Sequence, residues 1–306
     1  MKIRAIWAGG GGPAPLWVAN VGGYFAGQGL DVDCFQIPGS GNCTRALIDG
    51  SAEIGIFAAP AAIAWNLRHR PETVILAAHY NTLLVTLNGR PGIESTAALK
   101  GKRLGMGVQG EVEDYILRTV LPLIGYTLAD FQTVPKGEAA PWLTTGDNVD
   151  VLLLQPPQSL EGPKAGWRAL LDVVPMNIAY QLGCIVASRR WVEAHFDETL
   201  ALIRGYAEGL YRFVADQELG VDVMRRWTST SDLEALRATH ELYAQRFEMV
   251  PYPTLDGIAA ILQTIDAPAA GAARPGDFVD ARFVRRLEEE GLFAELRQRF
   301  MAKAPD

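Results

Sequence analysis

Lysine is scarce in this 306-residue chain: six lysines stand beside 22 arginines. The basic residues are scattered, with only short clusters such as Arg285-Arg286, and the formal net charge is −7. A nucleic-acid surface needs a basic stripe, so that partner class is excluded. Cysteine is scarce too. Cys34, Cys43 and Cys184 cannot all pair with one another, and none forms a Cys-x-x-Cys. A disulfide framework is not expected, and the three read as buried free thiols. The four histidines (His69, His79, His195 and His240) lack metal-ligand spacing, so no metal is expected. No apolar run reaches the roughly 20 residues of a membrane-spanning helix, and no membrane insertion is expected. Met1-Lys2 leads straight into a strand, with no apolar leader and no small-residue cleavage site. The expectation is a periplasmic location if a leader has been removed, and a cytoplasmic one if Met1 is the natural start.

What is present is an ordinary globular composition. Apolar residues make up 49% of the chain and charged residues 21%, enough to bury a core in one large or two medium domains. Short apolar runs alternate with helical periodicity. Strands are predicted at Lys2–Ala8, Asp31–Ile37, Glu53–Ala58 and Thr73–His79. Helices are predicted over Pro15–Gly27, over Cys43–Asp49 and, started by Pro60, over Ala61–Arg68. This β-α-β-α-β-α-β order predicts a parallel sheet with helices on both faces.

The pattern restarts after residue 82. Strands are predicted at Leu83–Leu87, Lys102–Val108, Phe131–Val134, Val149–Leu154, Trp167–Val174 and Cys184–Ser188. The clearest helix is Glu111–Ile124, where Val112, Tyr115, Ile116, Thr119, Val120 and Leu123 form one stripe. From Trp191 onward the chain reads as almost all helical, in Val192–Val214, Asp232–Arg246, Leu255–Ile265 and Phe278–Phe300. The fold class is α/β with two doubly wound sheets. One lobe takes residues 1–82 with 191–306 and the other 83–190. Two crossings make a hinge, and a hinge makes a closing cleft.

Ligands of such sheets bind beyond the carboxyl ends of the strands. The glycine run Gly9–Gly12, the turn Gly39–Asn42 and Ala58–Pro60 fall on that edge. Helix starts expose unpaired N–H groups and partial positive charge. Three starts are expected at the cleft: after Gly12, at Ser40–Asn42 and at Gln109–Glu111. The candidate ligand-binding residues are Gly10, Gly11, Gly12, Pro13, Ser40, Gly41, Asn42, Ala58, Ala59, His79, Tyr80, Asn81, Gln109, Glu111 and Gln155. His79, Tyr80 and Asn81 fall at the predicted hinge. Gln155 ends a strand, where an amide both donates and accepts. Trp7 and Trp142 are candidates to stack on a planar ligand. If the chain is an enzyme, His79 and Glu111 are the groups to handle protons.

No Lys-Ser or Lys-Thr follows the glycines, so the loop is not a P-loop. Pro13 and Pro15 disturb the helix start that a dinucleotide fingerprint needs, and no cofactor is expected. There is no Gly-x-Ser-x-Gly and no His-Glu-x-x-His.

In order along the chain come Pro15, Leu16 and Ala19, then Gly23, Phe25 and Gly29-Leu30-Asp31-Val32. Gly39–Gly41, Ala46-Leu47, Gly50 and Glu53-Ile54-Gly55 follow, and later Leu99–Gly105, Val149-Asp150-Val151 and Phe278–Leu292. This succession resembles the NMT1/THI5-like branch of the type II periplasmic binding proteins. That branch includes sulfonate, taurine, nitrate and pyrimidine-precursor binders. The resemblance implies a two-lobed protein that binds a small organic solute, anionic or aromatic and heterocyclic. It would deliver that solute to the membrane subunits of an ABC importer. The alternative it implies is a cytoplasmic enzyme on the same scaffold, a lyase or decarboxylase acting on a small carboxylated ring. The cysteine-rich motif of the pyrimidine synthases in that superfamily is absent.

Overall fold

The computed structural model describes residues 1–10, 12–135, 148–228 and 230–301. Ten strands in these segments form two five-stranded sheets. The first half of the chain supplies β1 (Lys2–Trp7), α1 (Ala14–Val21), α2 (Tyr24–Gly27), β2 (Asp31–Gln36), α3 (Ser40–Asp49), β3 (Ile54–Phe57), α4 (Pro60–Arg68), β4 (Thr73–Thr82), β5 (Thr86–Gly89), β6 (Arg103–Met106), α5 (Val112–Val120), β7 (Gln132–Pro135) and β8 (Val151–Leu154). The second half supplies α6 (Gln158–Glu161), β9 (Arg168–Asp172), β10 (Ala179–Ser188), α7 (Arg189–Ala194), α8 (Phe196–Ala215), α9 (Gln217–Trp227), α10 (Leu233–Arg246), α11 (Leu255–Leu262), α12 (Arg282–Glu289) and α13 (Leu292–Met301).

The first sheet has the order β2-β1-β3-β10-β4, and the second β7-β6-β8-β5-β9. Strands β1, β2 and β3 run parallel, as right-handed βαβ units require. β1 is mostly buried and β3 buried throughout, because helices cover both faces, while β2 at the sheet's edge is mostly exposed. β10 lies antiparallel between β3 and β4. This corrects the sequence reading, which counted Cys184–Ser188 as the close of the second βα block. The strand is ten residues long rather than five and belongs to the first sheet, so the chain returns there before residue 179.

The two crossings lie side by side. The Leu83 N–H donates to the Ile178 carbonyl at 3.0 Å, and the Val173 N–H to the Val85 carbonyl at 3.2 Å.

Three predicted helices are broken. The first stops at Val21 and resumes at Tyr24, because Gly23 takes the left-handed conformation (φ 71°). The helix predicted over Val192–Val214 is interrupted at His195, which separates α7 from α8. Ser188 caps α7 by accepting the Trp191 N–H. The tail likewise divides at Glu290-Gly291 into α12 and α13. No helix among the described residues is long and apolar enough to cross a membrane.

Candidate functional site

A cleft of about 740 Å³ opens where the carboxyl ends of the two sheets meet. Five strand ends reach it. From the first sheet come the turns after β1 (Gly9, Gly10, Gly12, Pro13), β2 (Gln36, Pro38, Gly39) and β3 (Ala58). From the second come the turn after β6 (Gly107, Val108) and the end of β8 (Leu154, Gln155). Parallel strands place these ends on one edge, so the site follows from topology.

Of the predicted residues, Gly10, Gly12, Pro13, Ser40, Asn42, Ala58, His79, Tyr80, Glu111 and Gln155 line the cleft. Gly11 and Trp142 lie outside the described residues. Four others do not line it. Gln109 is exposed in the turn before α5. Ala59 is buried at the start of α4 and donates its N–H to the Gln181 carbonyl at 3.3 Å. Asn81 is held in the hinge: its amide donates to the Tyr252 carbonyl at 2.8 Å and accepts from Gln181 at 3.1 Å. Gly41 lies just behind the wall, with its N–H aimed at a carboxylate. Trp7 is also not a wall residue. It is buried edge-on against Trp17, with centroids 5.0 Å apart.

His79 is buried on β4, and its Nε2–H donates to the Gly12 carbonyl at 2.8 Å. A carbonyl only accepts, so the proton is on Nε2 and the Nδ1 lone pair is left without a partner in the protein. Burial pushes the ring's pKa down to about 3, against the opposing Gly12 bond, so the imidazole is neutral near pH 7. Tyr80 packs against both Tyr243 and Phe247, with the three ring centroids 5.0–6.0 Å apart, and its hydroxyl lies against Gly12. Burial pushes its ionisation well up. Gly183 on β10 makes room for this pair. A Cβ there would lie 2.2 Å from Tyr80 Cε1 and 2.5 Å from His79 Nε2.

Opposite these rings stands Glu111, just before α5. Its Oε2 accepts the Gly41 N–H at 3.0 Å, a bond that reaches from the second sheet's side to the first turn of α3. A Cβ on Gly41 would sit 2.1 Å from Oε1, so glycine is what admits the carboxylate. Two more carboxylates take the amides before α5. Glu113 accepts from the Gly107 N–H at 2.9 Å and Asp114 from the Gly110 N–H at 2.8 Å. Of the helix starts expected to face a ligand, Gly41 and Gly110 thus have their N–H groups taken within the chain. At the start of α1, Pro13 and Pro15 have no N–H, and the Leu16 and Trp17 N–H groups turn back to the Pro13 carbonyl. His79 and Glu111 face one cleft but are bound to different loops.

Several wall residues escaped the sequence reading. Gln36 ends β2 as Gln155 follows β8, and the same strand-end reasoning would have found it. Gln158 lies one turn further on. Trp227 and Thr228, at the end of α9, carry no local sign of being near the cleft. Cys43 is buried behind it, and its thiol is raised to about 12, chiefly by burial and then by the Glu111 charge.

Comparison with known proteins fits this geometry. Residues 13–218 match the family described as NMT1/THI5 like. A protein from Uromyces fabae named 4-amino-5-hydroxymethyl-2-methylpyrimidine phosphate synthase is 26% identical over 218 residues, covering 66% of this chain and 63% of that protein. Among solved structures, a protein from Bordetella bronchiseptica RB50 superposes with a TM-score of 0.77 at 19% identity, covering 95% of this chain and 98% of that one. A putative periplasmic sulfonate-binding protein of an ABC transporter from Methylobacillus flagellatus KT gives 0.70 at 18%, covering 95% of both chains. These neighbours share the periplasmic-binding-protein fold nearly end to end. With residues 13–218 inside one family match and that fold around them, the chain belongs to the NMT1/THI5-like family.

Proposed function

We propose that this protein captures a small organic solute in the cleft and presents it to the membrane subunits of an ABC importer. In this reading residues 1–82 with 179–301 form one lobe and 83–178 the other, and closure about the paired crossings buries the solute. The observation that carries it is the cleft itself. About 740 Å³ suits a small organic molecule, and its walls come from both sheets. Polar groups in those walls (Tyr80, Gln36, Gln155) are of the kind that orient a ligand, and among the described wall residues no hydrogen-bonded nucleophile–base pair stands between them. The putative sulfonate-binding neighbour supports delivery to an importer by analogy of fold, and with it a periplasmic location.

The Uromyces match favours a second reading, an enzyme on the same scaffold. There the unpartnered Nδ1 of His79 is the available base and Glu111 the available carboxylate. One experiment separates the two. The purified protein is incubated with a panel of small organic solutes, and both thermal shift and product formation by mass spectrometry are followed. A binder is stabilised, by about 2.7 kcal/mol at a hundred times its Kd, and leaves the solute unchanged. Turnover sinks the transport reading. A panel without stabilisation or turnover sinks both.

A further inference from the structure

The cleft's charges bear on which solutes it accepts. Among the described wall residues the carboxylates are Glu111 and Glu113, and there is no lysine or arginine. His79 is held neutral by burial. A cleft built for an anion would offer the amides of its helix starts, yet at the start of α3 Glu111 already accepts the Gly41 N–H, and in the turn before α5 the Gly107 and Gly110 N–H groups are taken by Glu113 and Asp114. The start of α1 has lost two donors to proline and turned two inward. At the α3 seat an entering anion would meet the Glu111 carboxylate where a bare helix start would supply partial positive charge.

We propose that the cleft selects an uncharged or cationic solute carrying N–H donors on a flat apolar body, and that Glu111 sets this selectivity by filling the amide seat at the start of α3. This rests on the reading of the cleft as a solute site and names the class of solute. Two observations of different kinds place the carboxylate: its bond to the Gly41 N–H and the absent side chain at residue 41 that makes room for it. The acceptors for a donor-rich ligand are Glu111 and the amides of Gln36 and Gln155. The apolar body has Trp227 to lie against on one side and Val108, 73% exposed, on the other.

The test uses three ring-matched probes: benzamidine (cationic), benzamide (neutral) and benzenesulfonate (anionic). Binding to the full-length protein is measured by ligand-observed NMR and calorimetry. The expected order is benzamidine or benzamide at least tenfold tighter than benzenesulfonate. Glu111→Gln keeps the side chain's size and removes its charge. Gly41→Ala leaves the carboxylate but pushes it from its seat, and serves if the first variant folds poorly. Either change is expected to narrow the preference by about tenfold or more and to admit benzenesulfonate. Equal or tighter binding of benzenesulfonate by the unaltered protein overturns the charge selectivity and leaves the cleft a solute site. An unchanged preference in both variants overturns the role of Glu111. If no probe binds protein or variants, the solute-site reading falls, and this inference with it.

Discussion

On the first sheet's side of the cleft, aromatic rings are packed in two clusters. Trp17 lies 5.0 Å from Trp7 and is stacked at 5.9 Å on Trp227, while Tyr80, Tyr243 and Phe247 form a second stack with spacings of 5.0–6.0 Å. On the second sheet's side the strands β6 and β8 are four residues long, and Val108 stands exposed in the loop beyond β6. Those strands are packed through buried Leu104, Val151 and Leu152. At their amino ends, away from the cleft, they are also tied by charge: Asp150 accepts from the Arg103 N–H, Nε and Nη2 at 2.9–3.0 Å and pairs with Arg90 Nε at 3.0 Å. One wall of the cleft presents rings. The other presents the carboxylates of Glu111 and Glu113. A cleft so divided can hold a ligand's body against the first wall and choose its polar groups with the second.

The comparison is broken most severely by deleting a ring from the packed wall. Trp17→Ala removes a fully buried side chain that touches both Trp7 and the wall residue Trp227. The expected loss is about 3–5 kcal/mol in urea unfolding. Val108→Ala on the opposite wall is expected to leave the midpoint within error. Equal losses would mean that packing supports both walls alike. Next comes Gly183→Ala, expected to cost about 3 kcal/mol, because the new methyl group meets Tyr80 and His79, which are themselves locked among buried rings. The same variant is expected to weaken ligand binding, since both displaced rings line the cleft.

These two positions also show what the sequence made legible. The alternation of strands and helices, and the placement of glycine turns at strand ends, are local signals. They located β1 to β4, the start of α4 at Pro60 and most of the first wall. Gly183 was not legible, because its purpose is set by Tyr80 and His79 on a neighbouring strand a hundred residues away. The insertion of β10 between β3 and β4 is non-local in the same way. Glu111 was noticed as a residue suited to its own helix start. Its actual bond is to Gly41 on another helix, and periodicity carries no trace of that. What sequence could not show is that two of the amides expected at the cleft, those of Gly41 and Gly110, are already taken by Glu111 and Asp114.

The ion pairs at the amino ends of the second sheet's strands are tested by acid. Arg103 hydrogen bonds hold the Asp150 carboxyl down to about 2, against the burial that opposes them. Because the folded value lies below the ordinary carboxylate value, the contribution is complete above about pH 5 and is lost as pH falls toward 2. Its size is about 2 kcal/mol. Asp150→Asn is therefore expected to lower stability by that amount at pH 7, with the gap to the unaltered protein closing on acidification. Urea midpoints measured from pH 7 down to pH 3 check this. A gap that stays constant with pH would mean that shape, and not charge, organises that edge of the second sheet.

The smallest effect is expected where the two walls are joined. Tyr243 belongs to the packed side, yet its hydroxyl donates across to the Pro156 carbonyl at 3.1 Å, just beyond the end of β8. Tyr243→Phe keeps the ring in its stack with Tyr80 and Phe247 and deletes only that bond. The expected cost is about 1 kcal/mol, since the carbonyl left behind is deprived of its donor. If the bond forms only when the lobes close, the unliganded protein loses little, and the cost falls on the complex as roughly fivefold weaker binding. If it persists in the open state, unfolding midpoints drop while affinity does not change. Measuring both on one variant therefore reports whether the packed wall and the charged wall part company when the cleft opens, and whether Tyr243 lies on the moving boundary between them.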